Sequence, residues 1–157
     1  MQSQFANSNS NSNSNSNSKK LPTRAGGIIF DEDNTHIVLV LNRDSYLKKE
    51  NKWGLPKGHL QDFERTQPYI GATREIWEET GIYFPIKYDT FSIGIYDTLY
   101  YVLKLNREHN PTFCTNDSDE IFRVQWVPIT QLKNLKVNRT LAKIIKKWKN
   151  IFPNTIY

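Results

Sequence analysis

Three glutamates beside one arginine are the residues best spaced for chemistry. Arg74-Glu75-Ile76-Trp77-Glu78-Glu79-Thr80-Gly81-Ile82 reads as the end of a helix that opens near Thr66 and is stopped by the glycine. On a helix Glu75, Glu78 and Glu79 stand at i, i+3 and i+4, so their carboxylates share one face. Like charges at those spacings repel. A hard divalent cation bound through oxygen, such as Mg²⁺, would gather them. A solvated acidic face is the ordinary alternative for such a pattern, so the surroundings must decide. Tyr69, Ile70, Thr73, Ile76 and Trp77 fall on the opposite arc and are expected to pack on a core.

The elements around this helix must position it. Ala25–Phe30 and His36–Leu41 read as two strands joined by the Asp31-Glu32-Asp33-Asn34 turn. The second is nearly all apolar, as in a strand covered on both faces. Residues 43–52 read as a loop whose Arg43, Lys48, Lys49 and Lys52 form either a solvated surface or a lip that attracts phosphate. Trp53-Gly54-Leu55-Pro56-Lys57-Gly58-His59-Leu60 is expected to make a short strand and a tight glycine turn, with Trp53 a core residue. After the helix, strands are expected near 82–84, 91–95 and 99–105, then a polar loop over 108–119 and a half-buried strand over 121–127. Pro128–Leu135 suggests a short helix. Arg139–Asn150 is a final helix with an apolar stripe of Leu141, Ile144, Ile145 and Trp148. Its other side carries Arg139, Lys143, Lys146 and Lys147, either a solvated face or a surface for a phosphate backbone.

The bulk numbers bound the answer. The chain has 157 residues, room for one domain with a core. A formal charge of +5 and a pI near 9.3 favour acidic partners such as nucleotides or nucleic acid. The lone cysteine, Cys114, excludes an internal disulfide framework and is expected to be a small, at least half-buried side chain. No stretch approaches the roughly 20 apolar residues of a membrane span, and no signal-peptide core opens the chain. An intracellular, cytoplasmic location is therefore expected. The organisation expected is an Asn/Ser-rich tail over 1–20 without fixed structure, a folded domain over 21–135, and a basic amphipathic helix over 136–157 that packs on or extends the domain.

The run from Gly58 to Ile82 resembles the signature box of the Nudix hydrolases. Gly58, five residues and Glu64 match, and Arg74-Glu75-Ile76-x-Glu78-Glu79-x-Gly81-Ile82 matches throughout. Nine residues separate Glu64 from Arg74 where the family pattern has seven, which reads as a two-residue insertion before the helix. The WGLPKGHL approach and the Trp126-Val127-Pro128 ending also look like the family. The resemblance implies an α/β fold, an α/β/α sandwich around a mixed sheet. It implies hydrolysis of a nucleoside diphosphate linked to another group, with Mg²⁺ or Mn²⁺ held by Glu75, Glu78, Glu79 and the Gly58 carbonyl, and with Glu64 as a further metal ligand or as a partner that supports the ligands. It makes Glu75 the first candidate to take a proton from water, with Glu120 the second. Asp117 and Asp119 compete with Glu120 but read as turn formers. Arg74 would hold the glutamates by charge-assisted hydrogen bonds. Lys57, Arg43, Lys143 and Lys147 are candidates for meeting a phosphorylated nucleotide substrate. Capped RNA is one substrate expectation, with the basic final helix as its track. A dinucleoside polyphosphate and a diphosphoinositol polyphosphate are others, and a non-catalytic nucleotide-binding or RNA-binding module is the alternative of a different class.

Overall fold

The elements follow in the order β1 (Arg24–Phe30), β2 (His36–Asn42), α1 (Arg43–Leu47), β3 (Trp53–Gly54), β4 (Lys57–His59), α2 (Pro68–Thr80), β5 (Ser92–Ile95), β6 (Thr98–Lys104), β7 (Ile121–Pro128), α3 (Arg139–Lys146) and α4 (Trp148–Ile151). They are those of a computed structural model, which describes residues 20–155. The Asn/Ser repeat expected to lack fixed structure lies outside the described residues.

The first two strands form a hairpin that immediately splays. They meet at Phe30 and Ile37, beside a turn fixed by Asp31, whose buried carboxylate accepts from Thr35 N–H (2.7 Å), Thr35 Oγ1 (2.7 Å) and His36 N–H (3.0 Å). Burial raises the Asp31 pKa, but these hydrogen bonds outweigh it and hold the group below the ordinary carboxylate range. Beyond the turn, β1 pairs in parallel with β6 from Arg24↔Thr98 to Phe30↔Lys104, and β2 pairs antiparallel with β7. The segment 53–59 bridges the opening between them. Its β3 end pairs with β2 at Leu41↔Trp53, and its β4 end pairs with β1 at Ala25↔Gly58. Gly27 N–H donates to the Pro56 carbonyl at 3.0 Å between the two. The glycine turn is thus held open in the mouth of the splayed hairpin.

Strand alternation sends side chains to two cores. Ala25, Ile29 and Val38 face α2 and pack with Ala72 and Ile76. Ile28, Phe30, Ile37 and Leu39 face the other way and pack with Leu141, Ile144, Trp148 and Phe152. The result is the expected α/β/α sandwich around a mixed sheet, with α3 and α4 forming its second helical layer. Among the described residues no helix is long and apolar enough to cross a membrane.

Several local expectations need correction. Residues 82–84 form no strand: Pro85 lacks a ladder donor, and Phe84 and Ile86 pack as loop residues on the α2 core. The loop after β2 contains α1, and 129–134 is a 3₁₀ segment. The final helix breaks at Lys147, whose N–H bonds the Ile144 carbonyl three residues back. That tighter turn precedes Trp148, which meets Phe30 edge-on at 5.8 Å between centroids. Cys114 is exposed, lying on a surface loop. On α2, Ile70 and Trp77 are exposed, while Glu75 and Glu79 are buried beside Ala72 and Ile76. The acidic face and the core face of this helix overlap rather than oppose.

Candidate active site

Arg74 is the hub of the carboxylates. Its Nε and Nη2 donate to the two oxygens of Glu64 at 3.0 and 2.9 Å. Its Nη1 donates to one oxygen of Glu75 (2.7 Å) and one of Glu78 (3.0 Å), and Nη2 also reaches the His59 carbonyl (2.9 Å). Only the planar guanidinium fork could satisfy so many acceptors at once. Glu64 stands in a 3₁₀ segment, Asp62–Thr66, and also accepts from Gln61 N–H at 2.8 Å. The nine residues between Glu64 and Arg74 hold the end of this segment and the first turns of α2, which begins at Pro68, and Glu64 stays bonded to Arg74 across them. The Arg74 hydrogen bonds hold Glu64 below the ordinary carboxylate range, against the effect of burial. With both oxygens occupied by Arg74, Glu64 is placed to orient that arginine.

The glycine turn closes on the helix from the other side. Any side chain at Gly58 would collide with the Glu75 carboxylate, so glycine is what permits β4 to lie against α2. One residue earlier, Lys57 N–H donates to Glu79 Oε2 at 3.0 Å. Burial pushes the Glu75 carboxyl up, Arg74 offsets part of that, and Glu78 and Glu120 push further in the same direction. Glu79, 3% exposed, is pushed well up by burial, relieved in part by Lys57 and raised further by Glu120 and Glu75.

Glu120 is brought in by the polar loop. Asn116 N–H and Asp117 N–H donate to the Glu78 carbonyl (2.8 and 3.0 Å), and the Asn116 side chain donates to the Trp77 carbonyl (2.9 Å). Gly81 ends α2 at φ 76°, where a Cβ would meet the Cys114 carbonyl. On the far side Arg43 N–H donates to the Glu120 carbonyl at 2.7 Å, and Arg43 Nε donates to the Ser118 carbonyl at 2.7 Å. Asn42 Nδ2 donates to Glu120 Oε1 at 3.4 Å, and Asp117 accepts from Glu120 N–H at 3.1 Å. Asp117 is therefore a turn former, and Arg43 braces the loop that presents Glu120.

The fold thus gathers Lys57, Gly58, Glu64, Arg74, Glu75, Glu78, Glu79 and Glu120. It does not bring Lys143 or Lys147 to them. Lys143 Nζ lies 4.1 Å from the Tyr96 ring centroid, with Arg139 at 4.8 Å, and Lys147 is exposed at the helix break. Sequence reasoning missed Asn42 and Asn116. Their signal was weak: one ends an apolar strand, the other lies in a polar loop.

Among the described residues no three carboxylate, imidazole or thiol groups form a ready cage for an ion, because Arg74 stands between Glu64, Glu75 and Glu78. The donor chemistry nonetheless fits a hard divalent cation. Arg74 uses one oxygen of Glu75 and one of Glu78, and Lys57 N–H uses one of Glu79. Each keeps a second oxygen, and burial, with the nearby carboxylates, pushes Glu75 and Glu79 toward the neutral form.

The model of the NUDIX domain matches residues 20–148. The chain belongs to the Nudix family. It is 33% identical over 123 residues to the m7GpppN-mRNA hydrolase dcap-2 of Caenorhabditis elegans, covering 74% of this chain and 15% of that protein. It is 24% identical over 115 residues to Nudix hydrolase 7 of Arabidopsis thaliana, covering 68% of this chain and 39% of that protein. The chain therefore spans well under half the length of these curated relatives. Among solved structures, the NUDIX domain of Shewanella oneidensis NrtR, a complex with ADP ribose, superposes with a TM-score of 0.60 at 16% identity, covering 85% of this chain and 89% of that one. A Caenorhabditis elegans Ap4A hydrolase gives 0.56 at 20% identity, covering 85% and 98%. These two likenesses establish the shared Nudix fold, and the match continues into the α3 layer that completes the second core.

Proposed function

We propose that this Nudix chain hydrolyses a phosphoanhydride bond in a nucleoside diphosphate linked to another group, and that its substrate is the 5′ cap of an RNA. The observation that carries the reaction class is the carboxylate cluster: Glu75, Glu78 and Glu79 lie beside Gly58 and Lys57, with Glu120 near enough to raise the pKa of both buried glutamates. The cap is favoured by the relative named as an m7GpppN-mRNA hydrolase, the more similar of the two curated proteins described above.

In this reading the free oxygens of Glu75, Glu78 and Glu79, with the Gly58 carbonyl, hold Mg²⁺ or Mn²⁺. When bound, the ion neutralises pyrophosphate oxygens and makes water more acidic. The protein's own groups supply the rest. Arg74 fixes the carboxylate directions, and Glu64 fixes Arg74. Glu75, whose burial raises its affinity for a proton, is suited to accept one from the attacking water. Glu120, on a loop pinned by Arg43 and Asn42, is the second group for that proton. Lys57 stands where a phosphate would approach the turn.

The test is a panel of capped RNA, a dinucleoside tetraphosphate and a diphosphoinositol polyphosphate, each with Mg²⁺, with Mn²⁺ and with chelator. Release of the cap nucleotide as a diphosphate from RNA, abolished by chelator, is expected. Faster turnover of either small substrate would remove the cap assignment, and turnover of none would remove the hydrolase assignment.

A further inference from the structure

A cavity among the described residues lies beside the carboxylates rather than over them. It has a volume of about 590 Å³ and sits where the β5–β6 turn meets the entrance of α2. Leu21, Pro22, Pro68 and Leu99 give it an apolar floor, and Lys20 and Arg65 lie in its walls. Arg65 is the unusual member. Its Nε is buried and takes no hydrogen-bond acceptor. Nε itself is closed to solvent, so an anion entering the cavity would meet the outer guanidinium nitrogens of Arg65. Tyr96 stands at the rim, and its ring gathers two more cations, with Arg139 Cζ at 4.8 Å and Lys143 Nζ at 4.1 Å from the ring centroid. The one carboxylate in the lining, Asp97, accepts from Thr23 Oγ1 at 2.7 Å and from the Thr98 hydroxyl at 3.3 Å.

The cavity is close to the site of hydrolysis. Thr98 and Leu99 pair with Arg24 and Ala25, which in turn pair with His59 and Gly58. Two strand spacings, about 10 Å, separate it from the glycine turn. Arg65 directly follows Glu64, and Arg65, Thr66 and Pro68 all lie within the nine-residue interval between Glu64 and Arg74. The stretch in which this chain exceeds the family spacing therefore builds one wall.

We infer that this cavity binds a nucleoside monophosphate unit of the substrate, one nucleotide away from the bond that is cut. Its phosphate accepts from Arg65 and meets the cations at the rim, and its base and sugar cover the apolar floor. The N-terminal tail is a poor occupant, since residues 1–19 hold no acidic residue to match four cations. The inference rests on the nucleotide reading of the site, but its test does not pass through catalysis.

Binding of a fluorescently labelled, uncapped pentaribonucleotide to the full chain is measured by anisotropy in EDTA. AMP, ribose 5-phosphate and inorganic phosphate serve as competitors. Arg65→Ala and Tyr96→Ala are each expected to weaken binding five- to tenfold, while Tyr96→Phe, which keeps the ring, retains it. Lys104→Ala, at the other end of β6, is expected to bind as the parent does. AMP should compete at least fivefold better than ribose 5-phosphate or inorganic phosphate. Unchanged binding by Arg65→Ala with Tyr96→Ala, or an equal loss from Lys104→Ala, overturns the site. Equal competition by AMP and inorganic phosphate overturns the nucleoside assignment. Loss of hydrolysis across the substrate panel with these binding results intact would remove the enzymatic reading and leave the cavity assignment standing.

Discussion

The two helical layers of this sandwich bury different chemistry. On one face α3 and α4 bury Leu141, Ile144 and Trp148, each at most 1% exposed, against Phe30 and Phe152. On the other, α2 buries Ile76 and Ala72 but also the carboxylates Glu75 and Glu79, and leaves Trp77 and Ile70 in solvent. The first layer follows the hydrophobic effect. The second works against it, because ionised groups are costly to bury without a partner. A helix that buries acid and exposes tryptophan is held in place by the rest of the fold. Here Ile76 packs under β1 residues, Lys57 N–H bonds Glu79, Arg74 bonds Glu75, and the 114–117 loop bonds the helix end.

The apolar layer should give the largest effect. Trp148→Ala removes a fully buried indole that touches two aromatic rings and donates to Thr155 Oγ1 at 2.6 Å. The expected loss is about 3–5 kcal/mol of unfolding free energy, the usual cost of truncating a core aromatic. Urea unfolding measures it, and a loss below about 1 kcal/mol would show that α3 and α4 are an appendage rather than a layer.

The acidic layer should respond in the opposite sense. Glu79→Gln keeps an oxygen for Lys57 N–H and removes a buried charge. Turnover should fall at least about 10²-fold, the scale for losing one electrostatic group at a reacting centre. In EDTA at neutral pH the same variant should be more stable than the parent by about 1 kcal/mol, as when function is traded for stability. Turnover within a factor of two of the parent would remove Glu79 from the metal set.

Much of this contrast was legible in the sequence, though unevenly. The strands of the sheet centre were readable because alternation and apolar runs reflect packing alone. The Leu141–Ile144–Trp148 stripe was readable for the same reason, but not its break at Lys147, which follows from where the Trp148 ring must go. On α2 the periodicity misled: Trp77 looked like core because burial of Glu75 and Glu79 depends on Arg74, Lys57 and a loop some 40 residues away, and amphipathic spacing carries no sign of such partners. The candidate carboxylates Glu75, Glu78 and Glu79 were legible from helical spacing, and Gly58, Glu64 and Arg74 from the resemblance to the Nudix box. Their braces, Asn42, Arg43 and Asn116, act through long-range contacts that spacing does not encode.

A pH series sharpens the acidic layer. Glu75 and Glu79 have raised pKa values in the folded chain, so they favour folding most below the unfolded carboxylate value of about 4.5, and that contribution is lost as pH rises through their folded values. Glu64 is lowered, so its contribution is present above that value and is lost as pH falls through its folded one. A divalent cation competes with protons for Glu75 and Glu79. Mg²⁺ at about a hundred times its dissociation constant should add about 2.7 kcal/mol at pH 7.5, and clearly less at pH 5. Melting curves with and without chelator at the two pH values measure it. An equal gain at both would place the ion away from the buried glutamates.

The smallest effect isolates the comparison in one residue type. Trp77 and Trp148 both lie at helical positions that periodicity assigns to a core, yet Trp77 is 44% exposed and Trp148 is 1% exposed. What α2 needs at position 77 is its backbone: the carbonyl accepts from Gly81 N–H at 2.9 Å and from Asn116 Nδ2 at 2.9 Å. Alanine keeps that carbonyl and is the better helix former. Trp77→Ala should therefore change stability by no more than about 0.5 kcal/mol, as for other surface positions, and leave turnover within a factor of two. A loss of several kcal/mol would mean that this indole is covered in solution. A loss of turnover at unchanged stability would instead give the exposed ring a part in binding substrate. Either result would move the boundary between the acidic layer and the solvent.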